Sequence, residues 1–558
     1  MIKKILSVLL ALCLIVSAFA GCGKTEGTNS NGTDNSTGGI FDIENIFGGN
    51  DNSTENSGSS SGNSSANVNA IGDYVLKGSD GKGNWLQVKK VDAPNYKSGE
   101  MTLAEFEKMY RPYTDWRIYQ IRTTKSDVKP GKGGKAYYVS YKGVKGNDGL
   151  SSEKPVPSYA TIASKLKSGD VVYFERGGEY RGEVRVVKNN ITLAAYGEGM
   201  APVLKQYKES CVGKGKWIAT DKPNVYRYYQ EVYLDVGVVV FNEEFYTYKS
   251  FRTNEDVSGS KSKMYVNSYK DLKEELQMFH DPSSRKIYVY SEKGNPGEIY
   301  QVGEFIPKGS VVNTTAHNTV VDGLCIKFAG FGVESNPPSG EKIVKGLVVR
   351  NCEIGWIGGY SNSAKDERLG NAIQIWGGAK DFIVDNCYFY QVYDAGATFQ
   401  YISDNVEVVS ENIQFINSVY DYNNYSIEYF ITAGGNSTTK DFVIKGNLFW
   451  YAGEGMCTQR PDRSASNHIK SWGHENKLIN QIKVSNNLFA LGARQLCETR
   501  DITGIGAKYD NNVYVQTEGK RVAVNSATAD YFKMDANVKA NVEKELGDKN
   551  ATIIKIKK

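Results

Sequence analysis

Two carboxylates sit in segments whose residues alternate between apolar and polar. Glu428 lies in Tyr425-Ser426-Ile427-Glu428-Tyr429-Phe430, and Asp394 opens Asp394-Ala395-Gly396-Ala397-Thr398-Phe399-Gln400. Two carboxyl groups flanking a sugar ring can act as general acid and general base, and their separation decides retention or inversion. Each also has a plainer reading: Glu428 as an exposed strand residue bonded to nearby glutamines, Asp394 as a turn residue before Ala395-Gly396. A second group of candidates runs from Arg460-Pro461-Asp462-Arg463 through His468-Ile469-Lys470-Ser471-Trp472-Gly473-His474 and holds two of the four histidines. Arg460, Arg463 and Lys470 suit uronate carboxylates or sulfates, and Trp472 suits stacking on a sugar ring. His468 or Lys470 could instead be the base of a β-elimination. A packed polar loop is the plain alternative for this stretch.

The segments that carry these groups repeat. Two β-branched residues, a spacer, an Asn and then alternating apolar residues recur at Val348–Ile354, Ile383–Phe389, Val408–Phe415, Val443–Trp450 and Ile482–Phe489. The Asn positions are 351, 386, 412, 447 and 487; a further copy surrounds Asn512, and Gly323 takes the Asn slot in an earlier one. Short alternating strands at such a period indicate a solenoid, and no repeat contains a run of helical period. Stacked coils would place the five Asn in one ladder, since neighbouring strands lie about 4.8 Å apart. A second strand follows each Asn strand. In it Ile373, Ile375, Ala397, Phe399, Ile427 and Tyr429 make an inward set. Gln374, Trp376, Thr398, Gln400, Glu428 and Gln459 then form an outward row. A one-residue slip would bury Glu428 and two glutamines without partners. Extra residues at 358–370, 420–424 and 461–476 flank the same strands, and repeat insertions on one side usually border a binding surface.

This pattern resembles the right-handed parallel β-helix proteins of the pectate-lyase-like superfamily over roughly Lys135 to Val515. Tyr137-Tyr138-Val139-Ser140, Gly146-Asn147-Asp148-Gly149-Leu150 and Ser168-Gly169-Asp170-Val171-Val172-Tyr173-Phe174 look like the opening of many secreted members. The resemblance implies a capping helix near Tyr159–Leu166 and an all-β solenoid. It implies no residue roles. The polygalacturonase-like Asn-x-Asp, Asp-Asp and Gly-His-Gly set is absent, and Arg460-Pro461-Asp462-Arg463 has the wrong spacing for the pectate-lyase Arg-x-Pro-x-x-Arg.

Residues 1–22 read as a bacterial lipoprotein signal: Lys3 and Lys4, an apolar stretch from Ile5 to Val16, then Phe19-Ala20-Gly21-Cys22, with Cys22 lipidated. Residues 23–70 are a Ser/Asn/Gly tether too poor in apolar residues to fold. An N-terminal extension at 71–134, with a short helix at Leu103–Met109, is expected to cover the open first coil. The β-helix would span 135–526, interrupted by a β-rich insertion at 205–309 with a helical piece at Ser268–Met278, and 527–558 would cap the far end. Cys352 and Cys387 share an inward slot, while Cys457 and Cys497 share an outward one where export would permit a disulfide. A net charge of +4 excludes a strongly basic nucleic-acid binder. No Cys or His spacing suggests zinc, no Asp cluster suggests Ca²⁺, and no cofactor is expected.

Together these features predict an exported, lipid-anchored protein acting on a complex or acidic polysaccharide. It would be first a glycoside hydrolase with Glu428, Asp394 and His468 at the reacting centre. Gln374, Trp376, Thr398, Gln400, Gln459, Arg460, Arg463, Lys470, Trp472 and His474 would hold the sugar. A polysaccharide lyase and a non-catalytic glycan-binding protein are the alternatives.

Overall fold

The computed structural model describes residues 78–252, 265–362, 367–401, 407–431, 438–460, 466–472, 477–478, 482–499, 507–525 and 528–558. The chain is mostly β, with few helices and two long sheets of mainly parallel strands. It passes from one sheet to the other and back, so equivalent residues of successive passes become neighbours. Val321, Val349, Val384, Phe415, Ile444 and Val484 stand side by side on the first sheet. Ile354, Phe389, Tyr420, Phe449 and Phe489 do so on the second. A third column, Ile373, Ala397, Ile427, Ile469 and Cys497, belongs to the strands that carry the candidate site. All three columns are buried in one continuous core, which is what alternating apolar residues on stacked strands produce.

The corner between the sheets holds two Asn columns, not the single expected ladder. Gly323, Asn351, Asn386, Asn417, Gly446, Asn486 and Asn511 all adopt positive φ, between 51° and 73°, the region Gly and Asn enter most cheaply. Asn386 Nδ2 donates to Asn351 Oδ1 at 2.8 Å and Asn511 Nδ2 to Asn486 Oδ1 at 2.6 Å. One residue later runs a buried column. Asn447 Oδ1 accepts from the Ser418 N–H, Asn487 Oδ1 from the Asn447 N–H, Asn512 Oδ1 from the Asn487 N–H, and Asp548 ends the series on the Asn512 N–H. Asn412 belongs to neither; it bonds Asp381 at 2.8 Å within the first sheet. Adjacent asparagines such as Asn486-Asn487 occupy both columns, which a count of periods cannot separate.

The N-terminal extension differs most from expectation. Strand Gly99–Met101 pairs in parallel with Thr552–Ile556, so it covers the last pass and not the first. The helix that follows is Leu103–Thr123, opened by a capping box between Thr102 and Glu105. It continues past Met109 because Phe106, Tyr110, Thr114, Ile118 and Ile121 keep a buried face, and Pro112 falls on the exposed side. At 1.5 Å per residue it is about 31 Å long, enough to cross some six strands. Phe106 packs on Trp450, Arg111 pairs with Asp421, Arg117 donates to Asn386, and Arg122 pairs with Glu353. The helix therefore straps the parallel strands together from the last one back to that of Glu353.

The start of the core is plugged by Ile162 and Leu166, carried by two short 3-10 turns, Tyr159–Thr161 and Ala163–Lys165, in place of the expected capping helix. Met534, Val538, Val542 and Leu546 enter the core from the other end. The insertion forms its own small sheets around Trp217, Tyr228, Phe241, Met278 and Phe305. Its expected helix at Ser268–Met278 is only the turn Tyr269–Asp271 followed by strand Gln277–Asp281, because Leu276 takes φ +63° between them. Among the described residues, no helix is long and apolar enough to cross a membrane.

Candidate active site

Strands Ile373–Trp376, Tyr388–Tyr401, Val419–Ile431, Asn467–Trp472 and Cys497–Thr499 lie side by side in parallel. Their inward column is apolar, so the next residue along each strand faces away from the core. That next position reads Gln374, Thr398, Glu428 and Lys470 in register, with Glu498 following Cys497 on the last strand. Glu334 extends the row on the other side, paired with Gln374. The sheet thus gathers residues more than 150 positions apart in sequence into one line.

The row is a hydrogen-bonded series. Gln400 Nε2 donates to Glu428 Oε2 at 2.9 Å and reaches Thr398 Oγ1 at 3.4 Å. Lys470 Nζ donates to Glu498, whose Oε2 also accepts from Asn467 Nδ2 at 3.2 Å. Gln374 is held by Asn371 at 2.5 Å and donates to the Ile375 carbonyl at 2.8 Å. Trp376 Nε1 donates to Glu334 Oε1 at 2.8 Å, and Ser310 donates to the other oxygen. Gln374, Thr398, Glu428, Lys470 and Glu498 are buried; Trp376 and Gln400, in register two residues further on, are half-buried and lead outward. Ionisable groups withdrawn from water outside the apolar core are costly unless paired, and such clusters concentrate at functional sites.

The other expected members sit elsewhere. Asp394 does not pair with Glu428; it precedes Thr398 by four residues, about 13 Å along the strand, and forms an ion pair with Arg460. Arg460 lies between the rings of Tyr393 and Tyr425, at 5.4 and 5.8 Å from their centroids. Arg460 and Asp394 are thereby committed to each other at a buried corner. His468 is inside the core, stacked on Phe449 at 5.6 Å. Its Nε2 donates to the Ala490 carbonyl at 3.1 Å, so Nδ1 accepts from the Ser426 hydroxyl at 3.1 Å. Burial holds its pKa down to about 3. A ring so enclosed is not brought to the Glu428 row.

Gln459 also leaves the row, because Gly455–Gln459 is a 3-10 turn and the strand of this pass is Asn467–Trp472. Gln459 instead braces the insertion, donating from Nε2 to the Thr247 carbonyl at 3.0 Å. Lys470 takes the place expected for it. Cys457 and Cys497 are both buried and unbonded, Cys457 in the turn and Cys497 in the core. Trp472 continues the strand in register with Phe430. Arg463, His474 and Cys22 lie outside the described residues. Sequence reasoning missed Glu334 and Glu498 as row members. Glu498 was concealed by matching its repeat to Gly455–Arg460, although an outward Glu after an inward Cys was the available signal. Among the described residues no group of three His, Cys, Asp or Glu side chains is placed to hold a metal ion.

No known protein family and no curated protein sequence matches the chain. Solved structures do resemble it. One titled "Glycoside hydrolase" is 8% identical with a TM-score of 0.42, covering 76% of this chain and 97% of its own. The complex of XylC with xylose is 12% identical with a TM-score of 0.38, covering 70% and 71%. The GH136 lacto-N-biosidase from Eubacterium ramulus is 13% identical with a TM-score of 0.28, covering 81% and 71%. At such identities and scores, nothing about the reaction carries over to this chain.

Proposed function

We propose that this protein is a glycoside hydrolase whose coils close into a right-handed parallel β-helix, with Glu428 and Glu498 as its two catalytic carboxylates. The observation that carries the proposal is their place in the outward row, two strand spacings apart with Lys470 between. Two spacings of about 4.8 Å put the backbones about 9.6 Å apart. The distance between the carboxyl groups themselves decides between retention and inversion. Glu498 accepts from the Lys470 ammonium and the Asn467 amide, which suits a base that activates water. Glu428, which accepts from the Gln400 amide and stands in register with Lys470, is then the acid that protonates the departing glycosidic oxygen. A lyase is disfavoured, because His468 is enclosed in the core and the Lys470 ammonium is engaged by Glu498.

The near-complete burial of the row favours one other reading, in which these residues only tie the strands together and the protein binds glycans without cutting them. Product analysis separates the two. Fragments that gain water, made by wild type and absent with Glu428→Gln, support hydrolysis. Unsaturated fragments would indicate elimination, and bound but uncut glycan would indicate binding alone.

The proposal includes export and anchoring through Cys22, supported by Lys3, Lys4, the apolar stretch Ile5–Val16 and the polar tether after it. Cys22→Ser should move the protein from the membrane fraction to the medium; unchanged fractionation counts against the anchor.

A further inference from the structure

We infer, resting on the hydrolase reading, that the site takes uncharged sugars and discriminates against glycans bearing carboxylates or sulfates. Among the described residues the stretch of the row from Glu334 to Glu498 holds three carboxylic acids, Glu334, Glu428 and Glu498, against one ammonium, Lys470, and the exposed Arg185 stands two strands beyond Glu334 in the same register. With Glu428 protonated as the acid, that stretch carries a formal charge of minus one. Of the three cations that sequence alone offered as a clamp for an acidic sugar, Arg463 lies outside the described residues and the other two are committed. Arg460 is paired with Asp394 at the buried corner, its side chain 1% exposed. Lys470 is bonded to Glu498 and stands in register with Glu428.

An anionic sugar entering between Glu334 and Glu498 would meet carboxylates, and among the described residues of that stretch the one cation, Lys470, is already bonded to Glu498. A neutral sugar finds what it needs. The half-buried Trp376 offers ring surface, the neighbouring Gln400 an amide, and Glu334 an acceptor for hydroxyl hydrogens. Sugar recognition by stacking and by hydroxyl-to-carboxylate bonds requires no cation.

The test uses the full chain carrying Glu428→Gln, probed on an array of neutral oligosaccharides and their counterparts with one residue oxidised to a uronic acid. Wild type is assayed for cleavage of the same pairs. The expected result is binding and cleavage of neutral members, at least tenfold weaker for each carboxylated counterpart, with neutral binding insensitive to salt. Glu334→Gln should narrow the discrimination in affinity. Cleavage confined to acidic glycans, with release of water-containing fragments, would overturn this inference while leaving hydrolysis standing. Binding that prefers the acidic members and is lost in high salt would overturn it equally. No binding to any glycan would overturn the hydrolase reading and this inference together.

Discussion

Asp421 and Glu428 lie on one strand, seven residues apart, and both are buried carboxylates outside the main core. Asp421 belongs to the face under the Leu103–Thr123 helix, where a cation arrives from another element for each acid. Arg111 meets Asp421, while Arg122 grips Glu353 with two bonds of 2.7 and 3.1 Å and Lys327 approaches it at 3.3 Å. Burial alone would raise the Glu353 pKa, but Arg122 and Lys327 outweigh it and bring it down to about 2. Around them Phe106, Tyr110, Ile118 and Ile121 seal the surface against Trp450 and its neighbours. Glu428 instead receives a neutral amide, and the ammonium beside it comes from the adjacent strand of the same sheet. One face spends its charges on holding the molecule together, and the other lines them up beside half-buried polar and aromatic side chains. Buried charge is common to both faces, and they differ in where the partner of each acid comes from.

The sharpest break between the two faces is stability. Glu353→Gln should cost about 3 kcal/mol, since it leaves the half-buried Arg122 without its acid while Lys327 keeps Glu243, and should leave turnover per folded molecule unchanged. Chemical denaturation with activity normalised to folded protein checks both. Acid should expose the groups in a definite order. The fold depresses the His468 pKa from 6.5 to about 3, so its contribution is complete above about 6.5 and is lost as pH falls toward 3. That amounts to something on the order of 3–5 kcal/mol. The Glu353 contribution is complete above about 4.5 and is lost as pH falls toward 2. His468→Phe, which keeps the stack on Phe449, should reduce the loss between pH 6.5 and 4.5 in a melting-temperature series to the part that His280, whose pKa burial also lowers, contributes; an unchanged slope contradicts the buried neutral ring.

Smaller effects probe the corner. Asn487→Ala strips the acceptor from the Asn447 N–H and the donor from the Ile444 carbonyl, and should cost about 2 kcal/mol. Asn412→Ala removes the bond to Asp381 and the one accepted from Gln414 at a half-buried position and should cost about 1.5 kcal/mol, measured by urea titration. Smallest of all, Thr102→Ala opens the capping box of the strapping helix, for about 1 kcal/mol.

The alternation of apolar residues made the parallel strands and their inward columns legible, because a slip of one residue reverses every side chain. Gly323 in the Asn slot was legible for the same reason that Asn fits there, a positive φ. The row positions of Lys470 and Glu498 were missed because the pass containing Lys470 detours through the Gly455–Gln459 turn before its strand begins, and the strand of Glu498 was matched to that turn. Sequence spacing cannot show where such a detour rejoins the sheet. The strap was hidden by Pro112 and by a helix face built from Phe106, Tyr110 and Thr114 as much as from aliphatics. The pairing of Asp394 with Arg460 needed the fold, since 66 residues separate them.

The most direct test compares turnover and melting temperature for Glu428→Gln and Glu353→Gln on a neutral glycan that wild type cleaves. The account predicts that Glu428→Gln lowers kcat by about a thousandfold with a melting temperature near wild type, and that Glu353→Gln does the reverse. Undiminished turnover in Glu428→Gln, or a loss of stability as large as that of Glu353→Gln, would make the row a structural ladder and contradict its role in catalysis.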